Sequence, residues 1–217
     1  LEAFVTGAAV VALLDEIVQS RCNVLVSGAT SSGKTSFAGA MLQRAAIGDR
    51  LVVCEDTTEL AAGGRHAVRL ETRAAGADGV SAVDLAALVR AALRLRPDRL
   101  VVGEFRGSEV LSAVEAMNTG HDGSLSTCHA NSAVDALRRV ETLLMQAAPA
   151  WPLPAIRRQV SRSIDVVVHL ERTADGQRRV AEIVEVAESD GEPSGLLLAT
   201  DRVVCAPLGR RRCDPDR

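Results

Sequence analysis

The feature that most constrains the fold of this chain is a glycine-rich segment at residues 25–36, with the sequence LVSGATSSGKTS. Gly28 and Gly33 lie five positions apart, and Lys34 and Thr35 follow directly. An apolar stretch typical of a buried strand precedes the glycines, and a helical pattern follows the lysine. A G-x-x-x-x-G-K-[ST] sequence in this context is typical of a P-loop, in which backbone N–H groups and a helix N-terminus surround phosphate oxygens.

Lys34 is the only lysine of the chain, although lysine and arginine together number 25. In a P-loop the lysine must reach the β- and γ-phosphates as a compact point charge, and a planar guanidinium does not fit the same volume. We therefore interpret the segment as a nucleotide site, with the Thr35 hydroxyl on Mg²⁺. The predicted phosphate-binding residues are Gly28, Ala29, Thr30, Ser31, Ser32, Gly33, Lys34, Thr35 and Ser36.

Two further apolar segments end in carboxylates. LVVCED ends in Glu55 and Asp56, and LVVGE ends in Glu104. Acidic residues are common where strands meet solvent, but in open α/β folds the carboxyl ends of the strands also form the ligand-binding edge of the sheet. Hydrolysis needs a carboxylate for Mg²⁺ and a group that orients water. We therefore predict that these carboxylates face the P-loop.

His129 ends a further strand-like segment, SLSTCH. A single histidine at a strand end is often structural, and the alternative is a group that senses the γ-phosphate or donates to it. Arginines cluster at Arg65, Arg69 and Arg73, and Arg106 lies just past Glu104. These side chains form either a solvated surface or, as in ring ATPases, a source of positive charge for the transition state of a neighbouring subunit.

Strands and helices alternate along most of the chain, which predicts an α/β domain with a mostly parallel sheet. Near the C-terminus, DVVVHLE and RRVAEIVEV flank ADGQ, whose D-G turn predicts an antiparallel hairpin. We assign residues 1–187 to one domain. Residues 188–217 are assigned to a C-terminal extension with a partly disordered tail.

Composition argues against several classes of function. The net charge is −3, and aromatic residues make up 2% of the chain with no tyrosine, so we expect no direct contact with nucleic acid. The longest apolar run near the N-terminus is too short for a membrane span. Five cysteines without a C-x-x-C pair predict a reduced cytoplasmic protein without structural zinc. Cys22, Cys54 and Cys128 are then small apolar strand residues.

Together these segments resemble the ATPases of the type II/type IV secretion and pilus-assembly superfamily, and they look most similar to its Tad/Flp pilus assembly (CpaF-like) branch. The resemblance covers about residues 1–187. It rests on SGATSSGKT (Walker A), CEDTTEL (the acidic box), VRLETR, RAALRLRPDRLVVGEFRG (Walker B, ending in glutamate) and AMNTGHDGSLSTCHANS (the histidine box). The loop has Ser31-Ser32 where the family usually has Gly-Ser. Serine still offers its N–H, so we expect this change to be tolerated.

The resemblance implies a RecA-like fold, ATP and Mg²⁺ as ligands, a homo-hexamer, and an inner-membrane platform protein as partner. It implies ATP hydrolysis that powers pilus assembly or protein secretion from the inner face of the cytoplasmic membrane. In this interpretation Thr35 and Glu104 hold Mg²⁺, partly through water. Glu55 activates the attacking water, and His129 senses the nucleotide state. The implied catalytic residues are Lys34, Glu55, Glu104, Arg106 and His129.

Two other functions stay open. One is a RecA-like motor for conjugation or nucleic-acid transfer, which the acidic pI and the scarcity of aromatic residues disfavour. The other is a structural subunit that binds ATP without turnover. The superfamily also carries a domain before its ATPase domain, and only a short segment precedes the first strand here. We therefore expect a fragment or a chain without that domain, with slow hydrolysis by the chain alone.

Overall fold

An eight-stranded sheet forms the centre of the computed structural model, which describes residues 1–5, 7–45, 48–61, 66–76, 79–189, 192–200 and 202–203. The strands are β1 (Val24–Gly28), β2 (Leu51–Glu55), β3 (Ala67–Glu71), β4 (Arg99–Val102), β5 (Leu125–Cys128), β6 (Val166–Arg172), β7 (Arg178–Ser189) and β8 (Glu192–Ala199). Their order across the sheet is β3-β2-β4-β5-β1-β6-β7-β8.

The first six of these strands in sheet order are parallel to one another. β7 and β8 are antiparallel, β7 to β6 and β8 to β7. This arrangement confirms the predicted fold class, a mostly parallel α/β sheet with antiparallel strands at the C-terminus. β1 and β2 are buried along their whole length, as expected for strands covered on both faces, whereas the edge strand β3 is partly exposed.

Helices cover both faces of the sheet. They are α1 (Ala8–Gln19), α2 (Lys34–Leu42), α3 (Leu85–Ala92), α4 (Glu109–Asn118), α5 (Ala133–Ala147) and α6 (Leu153–Ser163). One apolar core joins α3, α4, α5 and α6 to the sheet, and a second core joins α1 and α2 to its other face. On α5, Val140, Leu143 and Leu144 are buried in the first of these cores.

Helix starts depend on side chains that accept the first free N–H groups. Asp84 accepts from the N–H of Ala87 at the start of α3, and Ser132 accepts from that of Asp135 at the start of α5. The second cap matters for the site described below, because it fixes the end of the loop that leaves β5.

The C-terminal part of the chain differs from the sequence-based expectation in one respect. The expected domain limit after residue 187 falls inside β7, and β8 continues the same sheet beyond it. Apolar residues of β8 explain this, since Leu198 and Ala199 are buried in the core shared with α1 and α2. The expected tail, residues 209–217, lies outside the described residues.

The cysteines follow the expectation in two of the three positions named above. Cys54 and Cys128 are buried free thiols in β2 and β5. The expectation of a reduced Cys22 is wrong, because the structure has this residue disulfide-bonded. A sequence without a close cysteine pair gives no local signal of such a bond.

None of the described helices is both long enough and apolar enough to cross a membrane.

Candidate active site

A cavity of about 550 Å³ opens at the carboxyl edge of the parallel sheet. The P-loop that follows β1 lines it on one side, and the segments that follow β2, β4 and β5 line the other. Parallel strands bring these four ends to one edge, which is where open α/β folds bind ligands. The lining residues are Thr30, Ser31, Gly33, Lys34, Thr35, Ser36, Glu55, Asp56, Thr57, Glu59, Leu60, Gly103, Glu104, Arg106, Thr127, His129 and Arg178.

All five side chains predicted to be catalytic therefore line one cavity. Of the predicted phosphate-binding segment, Gly28 and Ser32 are buried behind the cavity wall. Ala29 is exposed, and its carbonyl oxygen accepts a hydrogen bond from the Lys34 ammonium group.

Gly28 and Gly33 are required by the path of the P-loop. At Gly28 a Cβ atom would lie 2.5 Å from the carbonyl oxygen of Leu170 and 2.5 Å from Oγ of Ser32, where no side chain fits. Gly33 has a φ of +92°, the left-handed region that favours glycine, and α2 begins at the next residue. Ser31 also has a positive φ, +62°, without being glycine.

The Lys34 ammonium group is held by the loop that carries it. Nζ donates to the carbonyl oxygens of Gly28 and Ala29, both at 2.9 Å, and lies 3.3 Å from Nδ1 of His129. Burial lowers the pKa of Lys34, whereas the Glu104 carboxylate and Cys128 raise it. The cation thus lies in a partly dehydrated position, where its attraction for a phosphate is stronger than in bulk water.

His129 connects the P-loop to the end of β4. Its Nδ1 faces the Lys34 ammonium group and its Nε2 lies 3.3 Å from Oε1 of Glu104. An ammonium group can only donate, so Nδ1 acts as the acceptor, and the ring proton belongs on Nε2, where the carboxylate accepts it. His129 therefore bridges a cation and an anion across the cavity.

Glu55 is buried, and its carboxylate has a fixed orientation. Oε1 accepts from the N–H groups of Glu59 at 3.1 Å and Leu60 at 2.9 Å. Gly103 makes room for it, because a Cβ at that position would approach Cγ of Glu55 to 3.0 Å. The carboxylate is thus positioned at the cavity wall by the turn that follows β2 and by the absence of a side chain after β4.

The arginines separate into two groups. Arg106 lines the cavity, and its Nη2 lies 2.7 Å from Oδ2 of Asp56. Arg69 and Arg73 are exposed and do not line the cavity, and Arg65 lies outside the described residues. β3, which carries Arg69, is the edge strand of the sheet, so the sequence cluster is displaced from the P-loop.

Arg178 is a cavity residue that the sequence analysis missed. It begins β7, immediately after the hairpin turn, and its Cδ would lie 2.8 Å from a Cβ at Gly33. The reason for its position is the sheet order, since β6 pairs with β1 and the hairpin returns beside the P-loop. The D-G turn predicted the hairpin that carries Arg178. The position of that hairpin beside the P-loop depends on the order of strands in the sheet, which a local sequence pattern does not encode.

Known proteins resemble the chain over most of its length. The sequence pattern of the type II/IV secretion system protein family matches residues 4–213. A Mycobacterium tuberculosis protein named for conjugal transfer is 40% identical over 183 residues, which cover 84% of this chain and 51% of that protein. The type IV secretion system protein PtlH of Bordetella pertussis is 37% identical over 180 residues, covering 82% of this chain and 53% of PtlH.

The solved structures include a similar fold with a known role. The VirB11 ATPase from the Brucella suis type IV secretion system, solved in complex with sulphate, superposes with a TM-score of 0.72 at 30% identity. The match covers 81% of this chain and 52% of that one. The chain thus spans about half the length of the relatives it matches. With the matched pattern extending over residues 4–213, the chain belongs to the type II/IV secretion system protein family, whose relatives described above include an ATPase.

Proposed function

We propose that the chain is the ATP-hydrolysing part of a motor that powers a secretion or conjugal-transfer system. The observation that carries this proposal is the line of contacts from Lys34 through His129 to Glu104 across the P-loop cavity. It joins Lys34, the phosphate-binding cation, to Glu104, the carboxylate expected near Mg²⁺. His129, which contacts both, can respond when the charge near either of them changes. A structural subunit that only binds nucleotide does not need such a connection.

The residues present fit a nucleotide with Mg²⁺. Lys34 supplies a partly buried cation, and the P-loop glycines leave room for phosphate oxygens against backbone N–H groups. Thr35 and Glu104, which both line the cavity, would hold Mg²⁺. When bound, the metal ion neutralises charge on the phosphate oxygens.

Hydrolysis further needs an oriented water. The Glu55 carboxylate is held at the cavity wall by two N–H groups, and in our proposal it orients and deprotonates the attacking water. His129 fixes the positions of Glu104 and Lys34 relative to each other. Arg106 supplies positive charge to the phosphate groups once it leaves Asp56.

Because the chain spans about half the length of its relatives, the assembly and partners of a protein of this family are proposals. From the family resemblance we propose a homo-hexameric ring, an inner-membrane platform protein as partner, and a location at the inner face of the cytoplasmic membrane. The Tad/Flp branch stays a prediction. The relatives are named for conjugal transfer and type IV secretion, which makes a motor that drives such a system without contacting nucleic acid the first candidate. A conjugation motor that itself acts on nucleic acid is the second.

ATP hydrolysis by the purified protein, measured with and without Mg²⁺ and with and without DNA, tests the proposal. We expect Mg²⁺-dependent turnover that DNA does not stimulate, and its loss in Lys34→Ala. Amine acylation gives a second measurement, because Lys34 is the only lysine. Saturating Mg-ATP should protect it. Turnover that survives in Lys34→Ala would contradict the proposal, and stimulation by DNA would favour the conjugation motor.

A further inference from the structure

A second row of polar side chains lies beneath the P-loop, on the sheet face that α5 covers. Ser27 of β1 and His169 of β6 are paired in register, and Oγ of Ser27 lies 2.9 Å from Nδ1 of His169. Both residues are buried. Glu182 of β7 is paired with His169 on its other side. Paired residues of neighbouring strands project to the same face of a sheet, so the three form a row across β1, β6 and β7.

One end of this row adjoins the start of the P-loop. Ser27 directly precedes Gly28, whose Cα faces the carbonyl oxygen of Leu170, the residue after His169. The β6–β7 register shifts between His169 and Leu170, and such irregularities redirect side chains next to sites. β6 therefore fixes the P-loop through two contacts, a hydrogen bond to Ser27 and a close backbone approach to Gly28.

The other end adjoins the loop that carries His129. Oε1 of Glu182 accepts from the N–H of Ala133 at 2.7 Å, the first residue of α5. Only three residues separate Ala133 from His129, so Glu182 holds the far end of the histidine loop. A carboxylate at a helix N-terminus is also favoured by the helix dipole. The row thus connects the P-loop and the loop of His129 on the α5 side of the sheet. The contact between Lys34 and His129 connects the same two loops at the cavity.

We propose that His169 and Glu182 are positioning residues for the nucleotide site, with His169 setting the P-loop through Ser27 and Glu182 setting the loop of His129. This inference rests on the proposed function. It assigns different effects to the two ends of the row. The Ser27–His169 end controls how well phosphate is bound, and the Glu182 end controls how well His129 reaches Glu104 and Lys34 during turnover.

The surroundings of His169 suit this role. Burial lowers the pKa of His169, and the Lys34 ammonium group lowers it further, whereas Glu182, Glu171 and Asp135 raise it. The ring is therefore neutral near pH 7, and Nδ1 can accept from the Ser27 hydroxyl. Glu182 lies on β7, Asp135 on α5 and Lys34 on α2, so the histidine is surrounded by charges from three neighbouring elements.

The test compares nucleotide affinity with turnover in variants of the full protein. Affinity is read from a fluorescent ATP analogue with Mg²⁺, and turnover from phosphate release. Ser27→Ala and His169→Ala should raise the Kd about tenfold, the effect expected when a buried hydrogen bond is lost, with kcat nearly unchanged. His169→Asn should restore affinity, because its side chain keeps an acceptor for Ser27. Glu182→Ala should lower kcat about tenfold at unchanged Kd, and Glu182→Gln should restore it.

Matched controls separate positioning from stability and charge. Ser126→Ala removes a buried serine from the neighbouring strand β5, and Glu171→Ala removes a carboxylate of the same hairpin that pairs with exposed Arg179. Both should leave Kd and kcat within about twofold, and thermal unfolding of every variant identifies those that lose the fold.

The outcomes distinguish this inference from the proposed function. A wild-type protein that neither binds nor hydrolyses ATP overturns both. An active wild type whose variants change Kd and kcat together, or change only the unfolding temperature, overturns the positioning roles alone. If Ser27→Ala does not fold, the comparison of His169→Ala with His169→Asn decides.

Discussion

Nδ1 of His129 lies 3.3 Å from Nζ of Lys34, although the two residues are 95 positions apart in the chain. The contact is possible because β1 and β5 are adjacent parallel strands that end at the same edge of the sheet. It joins the predicted phosphate-binding lysine to the histidine that directly follows β5.

Glu55 and Glu104 should fail in different ways. Glu55→Gln keeps an oxygen for the N–H groups of Glu59 and Leu60, so ATP should still bind while turnover falls by a factor on the order of 10²–10⁴. Glu104→Gln should weaken Mg-ATP binding as well, because the carboxylate near the metal is lost. Measurement of Kd and kcat checks both. Glu71→Gln, an exposed carboxylate outside the cavity, serves as the control. Wild-type turnover in Glu55→Gln would remove that residue from the mechanism.

Ser31→Gly should stabilise the chain without changing nucleotide affinity. A serine at a φ of +62° is strained by about 1–2 kcal/mol, and glycine removes that strain while costing about 0.5–1 kcal/mol in unfolded-state entropy. We expect a net gain of up to about 1 kcal/mol in the free energy of unfolding, from urea titration. Ser36→Gly, within α2, should instead destabilise by about 0.5 kcal/mol, the difference in helix propensity between serine and glycine. Equal losses in both variants would show that position 31 is not strained.

Cys54 and Cys128 should make the fold sensitive to alkali. Burial raises the pKa of each thiol from 9.0 to about 12. Because the unfolded thiol ionises first, the stability that these groups contribute is complete below pH 9 and is lost as pH rises toward 12, by at most about 1.4 kcal/mol per pH unit for each thiol. Urea unfolding at several pH values between 8 and 11 measures this slope.

Few other side chains titrate between pH 8 and 11, since the chain has no tyrosine and one lysine. Burial lowers the pKa of Lys34, which makes its own contribution opposite in sign over part of the same range. The variants Cys54→Ala and Cys128→Ala should each show a smaller loss between pH 9 and 11 than wild type. Parallel pH curves for wild type and both variants would contradict the assignment.

ATP sites completed by a neighbouring subunit should make activity depend on assembly. A ring built from one chain repeats the same contact until it closes, and an arginine supplied across that contact is worth about 10³–10⁵ in rate. Specific activity should therefore rise with protein concentration. Mixing inactive Lys34→Ala with Arg69→Ala should restore part of the turnover, because mixed rings contain intact sites. Activity that stays constant over a hundredfold dilution, without rescue on mixing, would mean that each subunit acts alone.

The sequence predicted those parts of the site that local spacing controls. The P-loop, the carboxylates at the ends of β2 and β4, and His129 at the end of β5 all follow from apolar strands that end at one edge. The position of Arg178 in the cavity was not predictable in the same way. It depends on β6 pairing with β1, which is a relationship between distant segments.

The arginine cluster stays a prediction. Its described members, Arg69 and Arg73, are exposed outside the chain's own cavity, and both a solvated surface and a role at the site of a neighbouring subunit agree with that position. The buried pair of Ser27 and His169 was not predicted. Both lie within apolar strands, where period-two patterns report burial and say nothing about which polar residues meet.

The two carbonyl groups that hold the Lys34 ammonium group make nucleotide capture an exchange of partners. An approaching phosphate competes with the carbonyl oxygens of Gly28 and Ala29 for the protons of the ammonium group. The net free energy of that step is a difference between two sets of hydrogen bonds, and is therefore much smaller than the direct attraction between the charges. Such a loop keeps its lysine in place when the site is empty, and it can release spent nucleotide without first generating a bare buried cation.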